Sequence, residues 1–85
     1  MDIIYNNKTY KIPKPFSDNI DMEQATDMRT CQNPYSSVTC ELPDFASTIY
    51  YNIKDAEWTG NYDVVRKGIT WFQKNFIDEY YILID

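Results

Sequence analysis

Between Asn61 and Phe76 the apolar side chains Tyr62, Val65, Ile69, Phe72 and Phe76 fall at steps of three and four, with Arg66, Lys67, Gln73 and Lys74 between them. At 3.6 residues per turn this spacing gathers five apolar groups on one side of a helix and turns the charges to water. Asn61 is placed to cap the first turn, Asp63 suits the positive end of the helix dipole, and Lys74 suits the negative end. Burying such side chains stabilises by roughly 1.5 to 3 kcal/mol each before conformational entropy is subtracted. A chain of 85 residues builds one core and no second domain, so the rest of residues 1–85 has to pack around this helix.

The remaining segments read mostly as strands. Ile3, Tyr5, Tyr10 and Ile12 share a face on either side of Asn6-Asn7, which predicts a β-hairpin over residues 2–12. Pro13-Lys14-Pro15 withholds two backbone donors and takes the chain out of the sheet. Asp18, Asp21, Glu23 and Asp27 then surround Ile20, Met22, Ala25 and Met28, a pattern that permits a short helix over 18–29 capped by Ser17 or Asp18. Beyond a turn at Asn33-Pro34, Val38, Cys40 and Leu42 alternate with polar residues until Pro43-Asp44 ends the strand. Ile49, Tyr51 and Ile53 alternate in the same way and predict an antiparallel partner. Tyr80-Tyr81-Ile82-Leu83-Ile84 is apolar on both faces and reads as an interior strand. The expected fold is α+β: an antiparallel or mixed sheet of about five strands packed against one long helix at 61–76.

Several chemistries lack their parts. There is no histidine, hence neither the commonest proton shuttle nor the commonest metal ligand. Two cysteines without histidine do not complete a zinc site, and Asp18, Asp21 and Glu23 lack the spacing and central glycine of a calcium loop. Gly60 and Gly68 are the only glycines, too few for a phosphate-cradling loop. We therefore expect no cofactor, no metal and no enzymatic activity, with carboxylate-based hydrolysis the one enzymatic alternative. Met1-Asp2-Ile3-Ile4-Tyr5 carries no basic region followed by an apolar run, so no secretory leader is expected, and no run approaches the roughly 20 apolar residues of a membrane span. A cytoplasmic protein with Cys31 and Cys40 as free thiols is the expectation.

Thirteen acids against eight bases give a net charge of −5, which disfavours direct contact with nucleic acid or anionic lipid. Lys8, Lys11 and Lys14 make the only basic stretch and read as a solvated strand edge. Trp58, Tyr35, Tyr50 and Tyr81 lie beside turns or on faces the helix need not cover, where aromatic rings serve as binding anchors. Two acidic groups accompany them: Asp18, Asp21, Glu23 and Asp27 before Pro34, and Asp55, Glu57 and Asp63 around Trp58. Acids beside exposed rings suit a basic partner surface, such as that of a nuclease or another nucleic-acid-binding enzyme. The competing reading packs Trp58 over the start of the long helix and leaves the acids to solubility alone.

Asn7-Lys8-Thr9-Tyr10-Lys11-Ile12 resembles the opening of a family of small phage-encoded anti-CRISPR proteins that bind a CRISPR nuclease domain and end in a helix followed by a strand. The resemblance implies an anti-defence inhibitor acting in the host cytoplasm by occluding an enzyme surface, and it transfers no binding residue. Bacterial toxin-immunity proteins share the same size and acidity. A structural homodimer, joined through a sheet edge or through residues 79–84, is the further alternative.

Overall fold

The computed structural model describes residues 1–84. The order of elements is β1 (Asp2–Tyr5), β2 (Lys8–Lys11), a single 3-10 turn (Phe16–Asn19), β3 (Met28–Gln32), β4 (Thr39–Pro43), α1 (Asp44–Thr59), α2 (Tyr62–Asn75) and α3 (Ile77–Leu83). The fold is α+β, with two separate antiparallel two-stranded sheets, β1–β2 and β3–β4, and three helices. It does not contain the expected sheet of about five strands against one long helix.

The N-terminal hairpin forms where the alternation predicts it. Asp2 faces Lys11 and Tyr5 faces Lys8 across the ladder, and the Ile3 and Tyr10 pair is buried. Asn6 and Asn7 both adopt positive φ, 51° and 64°, the paired left-handed conformation that a two-residue hairpin turn requires and that asparagine tolerates.

Residues 18–29 form no α-helix. After the 3-10 turn the chain runs through turns to Asp27 and enters β3 at Met28. Of the apolar residues there only Ala25 is fully buried, so no continuous stripe exists to hold a helix down. Instead, the carbonyls of Ala25 and Asp27 accept the first free amides of α1, those of Phe45 and Asp44, at 3.0 and 2.7 Å.

Residues 49–54 belong to helix α1 and not to a strand. Ile49 and Ile53 satisfy a period of two, but together with Phe45, Ala46, Tyr50 and Ala56 they form a buried helical face, while Tyr51 lies outside it, half exposed. Pro43 precedes the first turn, Asp44 sits within it, and Gly60 closes the helix at φ 78° with its amide on the carbonyls of Ala56 and Glu57.

Helix α2 occupies the predicted segment, with Arg66, Lys67, Gln73 and Lys74 exposed as expected. Its buried face is Val65, Gly68, Trp71 and Phe72; Tyr62 is largely exposed and Ile69 only partly covered. The face is rotated toward Gly68 because α1 crosses there. Asn61 holds the N-cap position without a side-chain cap bond.

The terminal apolar run is helix α3, which corrects the expected interior strand at 80–84 and the strand ending implied by the anti-CRISPR resemblance. Phe76, at φ −142° and ψ 59°, breaks α2, and the chain coils again with Tyr80 N–H on the Phe76 carbonyl. Phe76, Tyr80 and Leu83 fall at helical steps against the core, and Leu83 is fully buried.

One cluster of buried side chains joins all these elements. Phe45 stands at its aromatic centre, with the rings of Tyr5, Tyr10, Trp71 and Phe76 between 5.3 and 6.1 Å away in tilted or edge-on arrangements. Trp71 donates its indole N–H to the Lys11 carbonyl at 2.8 Å, tying α2 to the hairpin. Among the described residues no helix is long and apolar enough to cross a membrane.

Candidate functional site

Helical spacing along α1 places Tyr51, Lys54, Asp55 and Trp58 at i, i+3, i+4 and i+7, on the side opposite the core. The loop from Asn33 to Val38 faces them. Together they bound an open groove of about 420 Å³ lined by Gln32, Pro34, Tyr35, Tyr50, Tyr51, Lys54, Glu57 and Trp58. Trp58 is 91% exposed and Tyr35 is 87% exposed, so two of the largest amphipathic side chains in the chain stand almost free in water at one place.

The groove is built on supported residues. Tyr50 is buried and its hydroxyl donates to the Gln32 carbonyl at 2.9 Å, which pins α1 to the end of β3. The neighbouring Tyr51 ring meets it edge-on at 5.2 Å. Lys54 extends its ammonium to within 5.8 Å of the Tyr35 ring centre and 5.7 Å of the Tyr50 ring centre, and bridges to Glu57 at 3.5 Å. Asn33 sets the loop: its Oδ1 accepts the Tyr35 amide at 2.8 Å and its Nδ2 donates to the Ile82 carbonyl at 2.9 Å, so α3 braces the loop that presents Tyr35.

Burial pushes the Tyr50 phenol up to about 12, with smaller contributions from Tyr51 and other neighbouring groups, and burial also raises Tyr51. Both phenols are therefore neutral at physiological pH, offering ring faces and hydrogen-bonding hydroxyls. With Lys54 and Glu57 neutralising each other, the groove is suited to holding an apolar or aromatic group from a partner.

No known protein family, curated protein or solved structure matches this chain. The site accordingly rests on its geometry.

The eight acidic and aromatic positions singled out by the sequence divide into two places. Asp55, Glu57, Trp58 and Asp63 lie at the C-terminal end of α1 and the start of α2. Asp18, Asp21, Glu23 and Asp27 belong to the segment that runs to the N-terminal end of α1, where Asp27 and Ala25 accept its amides. The Asn19 side chain also donates to Asn52 Oδ1 at 2.7 Å, one turn before Asp55, so the start of this segment meets the middle of α1 and only its end at Asp27 is held at the N-terminal end of the helix. Glu57 is bridged to Lys54 and Asp63 to Arg66, whereas Asp55 is exposed with no ion pair among the described residues. Trp58 does not pack over α2.

Tyr51, Lys54, Pro34 and Gln32 line the groove but were not among the sequence candidates. The signal for Tyr51 and Lys54 is their helical register with Trp58, hidden when residues 49–54 are read as a strand. Pro34 and Gln32 are placed by the β3–β4 connection and have no local signature. Cys31 and Cys40 stand opposite each other across the β3–β4 ladder as free thiols. Burial raises both, partly offset at Cys31 by the Ser47 hydroxyl 3.4 Å away, while Cys40 is pushed up to about 11, with Cys31 and Glu79 adding to burial. Neither is disposed to act as a thiolate at neutral pH.

Proposed function

We propose that this chain is a small acidic binding protein that inhibits a nucleic-acid-processing enzyme by docking the Trp58 end of α1 on a basic surface of that enzyme. One observation carries the reading: Trp58 and Tyr35, both nearly fully exposed, border the same groove beside the unpaired Asp55. Tryptophan and tyrosine supply large contact areas and dominate binding energies, and truncating such an anchor typically costs about 2 kcal/mol or more. The net charge of −5 supports a basic partner, because complementary charge speeds encounter while the rings supply the buried area. Occlusion of this kind is the mode of anti-CRISPR proteins, which the Asn7–Ile12 segment resembles, and of toxin-immunity proteins. A phage or mobile-element origin and a host-cytoplasmic site of action belong to the same proposal.

Titration of the chain against a panel of purified CRISPR and toxin nucleases, read as loss of cleavage, tests this. Stoichiometric inhibition is expected for at least one nuclease. Trp58→Ala and Tyr35→Ala should each weaken inhibition about thirtyfold, the equivalent of roughly 2 kcal/mol. Asp55→Lys should slow association most strongly at low salt. Inhibition that survives both ring truncations unchanged would refute the site, and no inhibition across the panel would refute the function.

A structural homodimer remains the second reading, because α3 leaves Ile77, Tyr81 and Ile82 at least 37% exposed on a short apolar surface. Light scattering at micromolar concentration decides it: a dimer dispersed by Tyr81→Asp supports this reading, and a strict monomer removes it.

A further inference from the structure

Six of the eight lysines and arginines, far apart in sequence, come together in space. Lys8, Lys11 and Lys74 line a cleft of about 270 Å³ between β2 and α2. Arg66, Lys67 and again Lys74 line a neighbouring depression of about 410 Å³ beside Pro13. Trp71 and Lys74 border both, so the two hollows adjoin, and the Lys67 ammonium donates to the Lys14 carbonyl at 3.0 Å, which places the Lys14 backbone beside the same face. The two remaining bases, Arg29 and Lys54, are elsewhere and engaged with Asp44 and Glu57. Three acids border the face: Asp2 opposite Lys11 in the ladder, Asp63 paired with Arg66, and Glu79, which adds to burial and to Tyr5 in raising the Tyr10 phenol. The surface is thus positive on a chain whose net charge is −5.

We propose that this β2–α2 face docks the phosphate backbone of duplex nucleic acid. Arg66 and Lys74 lie eight residues apart on α2, about 12 Å along the axis, and duplex DNA carries about seven backbone charges over such a length. The six bases, three of them on α2 within that length, outnumber the three bordering acids and neutralise part of this backbone charge. Single-strand binders add exposed rings on which bases stack; here Trp71 is 6% exposed with its N–H already donated to Lys11, and Tyr62 is the one exposed ring on α2, a turn before Arg66. Lysines around a concave cleft meet a ridge of phosphates better than the flat surface of a bilayer. Binding is sequence-independent and strongly salt-dependent, and it does not depend on the Trp58 groove.

Fluorescence anisotropy of a labelled 20-base-pair duplex, titrated with the full chain between 50 and 200 mM salt, tests the assignment. Binding should weaken with salt, each phosphate contact contributing about −0.9 to the logarithmic slope. Lys11→Gln with Lys74→Gln should weaken binding at least about tenfold at 50 mM salt and reduce the slope by about two. Lys14→Gln with Arg66→Gln, which shares no residue with that pair, should do the same, guarding against a folding defect in either. Thr30→Glu with Thr39→Glu changes net charge equally on the exposed β3–β4 hairpin and should have a much smaller effect. Equal weakening by the threonine pair would mean that net charge alone is read, and would overturn the proposal. So would absence of duplex binding at 50 mM salt, or binding to vesicles containing phosphatidylserine without binding to the duplex.

Discussion

Gly68 and Ile53 meet where α1 crosses α2, and a Cβ built on Gly68 would lie 2.3 Å from Ile53 Cγ1 and 3.2 Å from the tip of the buried Phe16 ring. The absence of a side chain at this one position brings the two longest helices together and turns Val65, Trp71 and Phe72 into the core. Gly68→Ala gains roughly 1 kcal/mol of helix propensity, but it overpacks the crossing, at a cost of about 1 to 3 kcal/mol. Net destabilisation is expected in urea denaturation. Ile53→Ala removes the obstructing atoms, so the double variant should be more stable than the sum of the single losses; strict additivity would show that the crossing is not tight.

Asn33 is almost fully buried and holds two segments at once, the Tyr35 amide and the Ile82 carbonyl. Asn33→Ala leaves both partners without their bond and should lower stability by about 1 to 3 kcal/mol. Hydrogen exchange at the Tyr35 amide should accelerate more than exchange in β1–β2. Uniform acceleration along the chain would mean that the loop is held by other contacts.

Tyr50 gives stability a pH dependence at the alkaline end. Its phenol is raised from 10.0 in the unfolded reference to about 12 in the fold, so the folded state retains the proton longer. The associated stability is fully present below pH 10 and is lost as the pH rises through about 12. Tyr50→Phe should cost about 1 kcal/mol near neutrality, from the unsatisfied Gln32 carbonyl, while flattening the fall above pH 10. Chemical denaturation at several pH values measures both effects, and parallel curves for the two proteins would contradict the assignment.

Cys31 and Cys40 should resist alkylation in the native protein at pH 8, because burial disfavours the thiolate at both and limits reagent access. Both should react readily in urea. The rate at Cys40 should inflect near pH 11 rather than 9.0, followed by mass spectrometry of peptides. Rapid native modification at pH 8 would show that β3–β4 opens easily.

The parts of the fold legible in the residues are those where a local pattern admits one period. Tyr62 to Asn75 repeats at helical steps over four turns, and Asn6-Asn7 supplies positive φ between two alternating runs, so α2 and the first hairpin lie where expected. Ile49, Tyr51 and Ile53 fit a period of two, while Ile49 and Ile53 also fit a helical step of four. The deciding members, Phe45, Ala46 and Ala56, lie outside that short window. Tyr80 to Ile84 is ambiguous for the same reason, and its length alone does not distinguish a strand from two turns of helix.

The candidate site was legible residue by residue and not as a place. Trp58 and Tyr35 stand out as aromatics beside turns, yet their meeting across one groove depends on α1 being a helix and on Asn33 tying its loop to α3. The acids of residues 18–27 and 55–63 look equivalent in sequence, whereas in the fold Asp27 is held at the N-terminal end of α1 and Asp55 and Glu57 lie toward its C-terminal end.

Composition by itself determined the acidity and the lack of imidazole, which are sums over the chain, and local periodicity determined one amphipathic helix and one tight hairpin, because these depend on residues within a few positions of one another. Tertiary structure decided whether ambiguous apolar runs coil or extend, which rings meet, and where the lysines gather. Those outcomes depend on burial against partners tens of residues away, and Gly68 against Ile53 or Trp71 against Lys11 has no counterpart in any short window of sequence.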